Sequence, residues 1–246
     1  MKADPQSQRL LLDLQAIDTS LAQIAHKQRN LPEHAELQRL DKEVSSLEDE
    51  RVRAQVAVDD LDRDISRLDK DVDQVRQRAQ RDRTRLDAGT GPAKELEALQ
   101  HELATLARRQ GELEDAELEL MEQREAAQST LDDAASRLSG ATEAKAKAVQ
   151  RRDTSLAELT AETAQKTQAR APLVERLPAD LLGLYDKMRE SAGGVGAALL
   201  RRGRCEGCRL ELSAGDKARV RAADLDEVVR CEECRRILVR TEESGL

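Results

Sequence analysis

Apolar residues recur along most of this chain at the alternating spacing of four and three that marks a coiled-coil seam. Leu10, Leu14, Ile17, Leu21 and Ile24 make a first seam. It stops at Asn30-Leu31-Pro32-Glu33, where proline removes a backbone donor and predicts a kink or short break. A second seam, in a new phase, runs from Leu37 to Leu86 and is interrupted only at Arg51 and Asp82. Leu99, Leu106, Leu113 and Leu120 then open a strict heptad column that continues as Ala127, Ala134, Ala141 and Ala148. The register slips near residues 145–149.

Between these seams lies Asp87-Ala88-Gly89-Thr90-Gly91-Pro92. Glycine ends helices in the left-handed conformation, and proline suits the first turn of the next one. The pattern therefore predicts a mainly α protein: a long bent antiparallel coiled-coil hairpin over residues 1–171, with its tip at 87–92. At 1.5 Å per residue each arm would be roughly 120 Å long. With the tip near 90, facing residues should have numbers summing to about 180. Pro32 would then lie level with residue 148, and Leu61 and Ile65 level with residues 115–120. Both arms would lose register at one height, placing the bend near 32 and 145–149. The alanine column should let the helices approach closely over 127–148.

Residues 172–195 read differently. Pro172 closes the second arm, and Pro178 opens a short helix carrying Leu181, Leu182, Leu184, Tyr185 and Met188. Tyr185, the sole tyrosine, is expected to pack where this helix meets the hairpin or the last module. Ser191-Ala192-Gly193-Gly194-Val195-Gly196 reads as a flexible joint. Residues 196–246 form the last module, with short strands expected at 197–200, 228–229 and 237–239. Two C-x2-C pairs frame it, Cys205/Cys208 and Cys231/Cys234. Two such turns give a tetrahedral ion four soft ligands. All four positions would be protein thiolates, so one structural Zn2+ is expected, with no open position for chemistry. An iron–sulfur site and a redox dithiol pair are the competing readings.

Composition narrows the function. The 246 residues contain no Phe or Trp, and 37% are charged, which suits a thin seam rather than a large core. No apolar run approaches membrane-spanning length and no signal-peptide pattern opens the chain, so the reading is a cytoplasmic, bacterial protein with reduced cysteines. A net charge of −8 speaks against a general nucleic-acid binder. Basic residues flank the tip over 70–94 and acidic ones follow over 95–125, as inter-helix pairing would require. His26, His34 and His101 are solitary, and the carboxylates line solvated helix faces. No nucleophile–base pair, phosphate loop or small-molecule pocket is legible, so the chain reads as not an enzyme.

Several stretches together resemble the bacterial C4-type zinc-ribbon proteins with an N-terminal coiled-coil hairpin. They are Lys94-Glu95-Leu96-Glu97-Ala98-Leu99-Gln100-His101-Glu102 after the tip, Leu181-Leu182-Gly183-Leu184-Tyr185, and the cysteine pairs with Arg236-Ile237-Leu238. The chain departs at Arg235, where that family usually has glycine, and at Val239, where an aromatic is common. The resemblance implies an adaptor; relatives are linked to a sigma factor, to type III secretion or flagellar components, and some to RNA. The expected function is thus a non-enzymatic zinc-ribbon coiled-coil adaptor for protein partners, with Lys94, Glu95, Gln100, Arg235 and Arg236 as candidate partner-binding residues. The alternative is a nucleic-acid-binding ribbon, favoured by the arginines around the knuckles. A polymerase-channel regulator fits less well, since the tip lacks paired carboxylates. A zinc hook is excluded because its cysteines would stand at the hairpin apex.

Overall fold

The computed structural model describes residues 1–245. Its elements are α1 (Pro5–Arg29), α2 (Pro32–Asp87), α3 (Ala93–Glu175), α4 (Ala179–Ser191), β1 (Ala197–Arg201), β2 (Arg204–Cys205), α5 (Ala214–Ala222), β3 (Val229–Arg230) and β4 (Ile237–Val239), followed by a 3-10 turn at Glu242–Ser244. Two compact units result: residues 35–149, and residues 1–34 together with 150–246.

The unit 35–149 is an antiparallel helical hairpin. Residues 88–92 join α2 to α3, with Gly89 at φ 63° and Gly91 at φ 157°. Few side chains are fully buried: Leu37, Leu40, Leu47, Ala54, Val58 and Val72 on α2 meet Leu113, Ala134, Ala141 and Ala148 on α3. The alanine column is therefore on the seam, as its spacing predicts.

The register differs from the simple expectation. Arg124–Asp62 at 3.0 Å, Arg137–Glu50 at 2.9 Å and Lys145–Asp41 at 2.7 Å cross the seam with residue numbers totalling 186 or 187, not 180. Arg76–Glu114 and Arg78–Glu102 fall on either side of that value. Ala148, expected level with Pro32, packs against Leu37 and Leu40 instead. An offset of about six residues is roughly 9 Å of helix. A Leu61→Cys/Arg124→Cys pair should therefore crosslink within one chain through a short bismaleimide. Leu61→Cys/Glu117→Cys should not, and the reverse outcome would restore the 180 register.

In the other unit, Asp4 caps α1 by accepting from the Gln6 and Ser7 amides, both at 2.9 Å. The first seam ends where expected: α1 stops at Arg29, Asn30 caps it, and Pro32 becomes the first residue of α2. Proline is tolerated there because a first-turn amide has no helical acceptor. Pro172 does not end α3, which continues to Glu175. Leu173 and Val174, one and two residues later, pack on the core, and that burial outweighs one lost hydrogen bond.

That core joins elements far apart in sequence. Leu11 and Leu14 of α1, Leu177, Leu181, Tyr185 and Met188 around α4, and Ala197, Ile237 and Val239 of the sheet form one buried cluster. The sheet order is β2-β1-β4-β3, with β1 and β4 parallel and both outer pairs antiparallel. The first residues of the chain extend it: the Ala3 amide donates to the Asp226 carbonyl at 2.7 Å, and Val228 donates to Met1 at 3.1 Å. The stretch 191–196, read as a flexible joint, is tied down by hydrogen bonds from both Gln15 and Arg236.

Candidate metal centre

Each C-x2-C pair lies in a tight knuckle, and the two are built alike. In the first, the Arg209 amide returns to the Cys205 carbonyl at 2.7 Å and the Cys205 amide donates to Leu210 at 3.0 Å. In the second, Arg235 returns to Cys231 at 2.9 Å and Cys231 donates to Arg236 at 2.9 Å. Closing each loop forces the residue after the second cysteine into the left-handed region, Arg209 at φ 62° and Arg235 at φ 63°. A side chain costs about 1 kcal/mol in that conformation and glycine does not. Arg235 also forms only an exposed contact with Glu232, at 3.5 Å. Arg235→Gly should thus stabilise the metal-loaded chain by about 0.5–1 kcal/mol in denaturant unfolding; a loss of stability would show that the arginine has a holding role.

The knuckles bring all four sulfurs within 4.8 Å of one another. Cys205 and Cys234 are 3.8 Å apart, Cys208 and Cys231 3.9 Å. A regular tetrahedron with a metal–sulfur distance of about 2.3 Å has edges of about 3.8 Å, so the donor set and its spacing fit one zinc ion. Cys205 and Cys231 are buried, Cys208 and Cys234 half-buried. Burial pushes the Cys205 and Cys231 thiols up, against backbone amides that point at their sulfurs. At Cys234 burial also acts upward, but hydrogen bonds from the Arg236 amide and guanidinium, and from Cys231 and Cys208, outweigh it and hold the thiol at about 7.

Two matches agree with this geometry. A C4-type zinc ribbon domain model matches residues 204–238. The CT398-like coiled coil hairpin domain model matches residues 14–193, most of the chain. This chain belongs to the CT398-like coiled-coil hairpin family. One relative in it, the uncharacterized protein Rv2229c of Mycobacterium tuberculosis, is 41% identical over 242 residues, covering 98% of both chains. A solved structure from Mycobacterium smegmatis superposes with a TM-score of 0.85 at 39% identity, covering 98% of this chain and 100% of that one. CT398 from Chlamydia trachomatis superposes with a TM-score of 0.65 at 17% identity, over 95% and 97% of the two chains, a likeness of fold. Like its family, this member carries a helical hairpin and a zinc ribbon with a place for one structural zinc. Among the described residues no helix is long and apolar enough to cross a membrane.

The other candidate residues separate. Lys94, Glu95 and Gln100 are exposed on the first turns of α3. Arg235 is exposed too. Arg236, expected to project freely, is not available: its Nε donates to the Val195 carbonyl at 3.0 Å and its terminal nitrogen to Ala192 at 2.5 Å. Arg240 is likewise committed, donating to the carbonyls of Val220, Ala223, Asp224, Leu225 and Glu227. Those carbonyls cluster at the end of α5 and need donors that the helix cannot supply.

Sequence reasoning missed two polar residues of α1. Gln15 is buried and bonds the backbone of Gly194 and Gly196. Asp18, whose side chain is 1% exposed, takes Arg170 at 2.7 Å, the Tyr185 hydroxyl at 2.8 Å and Arg189 at 3.4 Å. Burial, then the bond to Asp18, pushes the Tyr185 phenol above its ordinary value.

Proposed function

We propose that this family member is a non-enzymatic adaptor in which Cys205, Cys208, Cys231 and Cys234 hold one structural zinc while exposed side chains of the hairpin and ribbon bind protein partners. The observation that supports it is the contrast between the metal centre and the surface. Four convergent thiols leave zinc no open position, so the metal shapes the ribbon instead of acting on a substrate. Meanwhile Lys94, Glu95 and Gln100 are exposed beside the hairpin tip. Partners in transcription or secretion machinery are what the family resemblance suggests.

The test is capture with crosslinking from the native cell. Reversing the charges as Lys94→Glu with Glu95→Lys should remove partners that wild type recovers, and Arg235→Glu should remove those of the ribbon. Both are surface changes that should leave folding within about 0.5 kcal/mol. Recovery of the full partner set by both variants would defeat the assignment of these contacts. The second reading, a ribbon that binds nucleic acid, draws on Arg201, Arg202 and Arg204, which line one open cleft, though Glu206 and Glu211 share it. A salt-dependent mobility shift with the full chain would favour that reading. The full chain is needed because the ribbon shares its core with α1 and α4.

A further inference from the structure

Two side chains from distant parts of the sequence grip the segment between α4 and β1. Gln15 of α1 accepts from the Gly196 amide at 2.7 Å and from Ala197 at 3.4 Å, and donates to the Gly194 carbonyl at 3.0 Å. Arg236 donates to the carbonyls of Val195 and Ala192. Arg236 also touches both knuckles. Its backbone carbonyl accepts from the Cys231 amide at 2.9 Å, and its Cδ lies where a Cβ on Gly207 would approach to 2.7 Å. The gripped segment has little freedom on its remaining side, since a Cβ on Gly196 would meet the Tyr185 carbonyl at 2.5 Å and its ring at 2.8 Å.

We propose that this double clamp couples the zinc site to the α1–α4 core: Arg236, packed against both cysteine knuckles, orders residues 192–196, and Gln15 passes that order to α1. The idea rests on the zinc assignment above. A metal joining the two knuckles would fix Arg236, which is bonded to one through Cys231 and packed on the other at Gly207, and so fix where its guanidinium reaches. Arg236 can hold the two carbonyls together because its planar fork presents several donors at fixed angles. Coupling of this kind is reciprocal, so a change at Gln15, which no cysteine touches, must be felt by the metal.

The experiment measures zinc affinity of the full chain by competition with a chromophoric chelator. Wild type is compared with Gln15→Met, Arg236→Met and the double variant. Each single change should weaken zinc roughly tenfold or more, in the range seen for groups that orient metal ligands. The double variant should bind little worse than the weaker single, because both act through one segment. Hydrogen exchange gives a second reading: the Gly196 amide should lose protection in Arg236→Met even at saturating zinc. Gln15→Met binding zinc within about twofold of wild type, or two effects that simply multiply, would overturn the clamp. Should a methionine variant not fold, Gln15→Glu (acceptor kept, donor lost) and Arg236→Lys (charge kept, fork lost) take its place, with smaller losses of the same pattern. Metal analysis of wild type keeps the two ideas apart. Absence of stoichiometric zinc there would refute the metal reading itself, whereas normal zinc in wild type with unchanged affinity in Gln15→Met refutes only the coupling.

Discussion

Asp18→Ala should cost about 3–5 kcal/mol, a larger loss than any other single side chain outside the metal centre should give. Asp18 is the one acid that Arg170, Arg189 and the Tyr185 hydroxyl all address. Its side chain is 1% exposed, against 25% for Arg170 and 35% for Arg189. Removing the carboxylate therefore leaves a fully buried hydroxyl without its acceptor, and leaves Arg170 and Arg189 only their longer contacts to Asp186, at 3.8 and 3.7 Å. Tyr185→Phe is the informative control. It removes one donor and leaves Asp18 paired with both arginines, so it should cost only about 1 kcal/mol. Thermal unfolding followed by circular dichroism checks the ranking, with the Asp18→Ala midpoint lower by roughly 10 °C. If Tyr185→Phe costs as much as Asp18→Ala, the hydroxyl and not the charge carries the network, and this account of the core fails.

The contrast between Asp18 and the seam leucines shows which part of the structure was legible in the sequence. Leu37, Leu40, Val58, Leu113 and the alanine column follow a period set by the helix itself, so their burial could be read locally. The cysteines were equally plain, because two C-x2-C turns are short-range geometry. Asp18 and Gln15 carry no such mark. Each looks like one more polar residue beside a seam, and apart from Thr19, which Gln15 also bonds, the partners named above lie 152 or more residues away along the chain. The register offset was hidden for a related reason: a loop of glycines announces a turn but does not set which residues of the two helices face each other. Arg235 and Arg236 are adjacent and chemically identical, yet one faces solvent and the other is consumed by carbonyls. Only the knuckle's closure, which turns Arg235 outward at positive φ, separates them. α5 and the Met1–Ala3 pairing escaped notice because the first has a single fully buried residue, Val220, and the second is set by the sheet edge it meets.

Cys205→Ser and Cys231→Ser should each abolish stoichiometric zinc, one ion per chain in wild type, and open the ribbon. The expected size follows from two magnitudes. Structural zinc contributes about 10–16 kcal/mol of apparent binding energy in small metal domains. A whole domain has about 5–15 kcal/mol of net stability, so the ribbon cannot stay folded once its metal is lost. Its own buried cluster is small, built on Ala198, Leu200, Leu212, Val220, Val229 and Leu238 around the cysteines. The damage should also travel. Ala197, Ile237 and Val239 are buried together with Leu11, Leu14, Leu181 and Tyr185, so loosening the strands uncovers the tyrosine. With no Trp or Phe in the chain, Tyr185 emission reports this directly. Quenching by acrylamide should rise sharply in both variants and in wild type treated with a strong chelator. Helical circular dichroism should fall only modestly, because residues 35–149 carry their own seam and cross-seam ion pairs. Stoichiometric zinc in both serine variants would remove Cys205 and Cys231 from the ligand set. Zinc loss with Tyr185 still shielded would mean that the strands hold their places without the metal, and the ribbon would then owe its fold to the α1–α4 core.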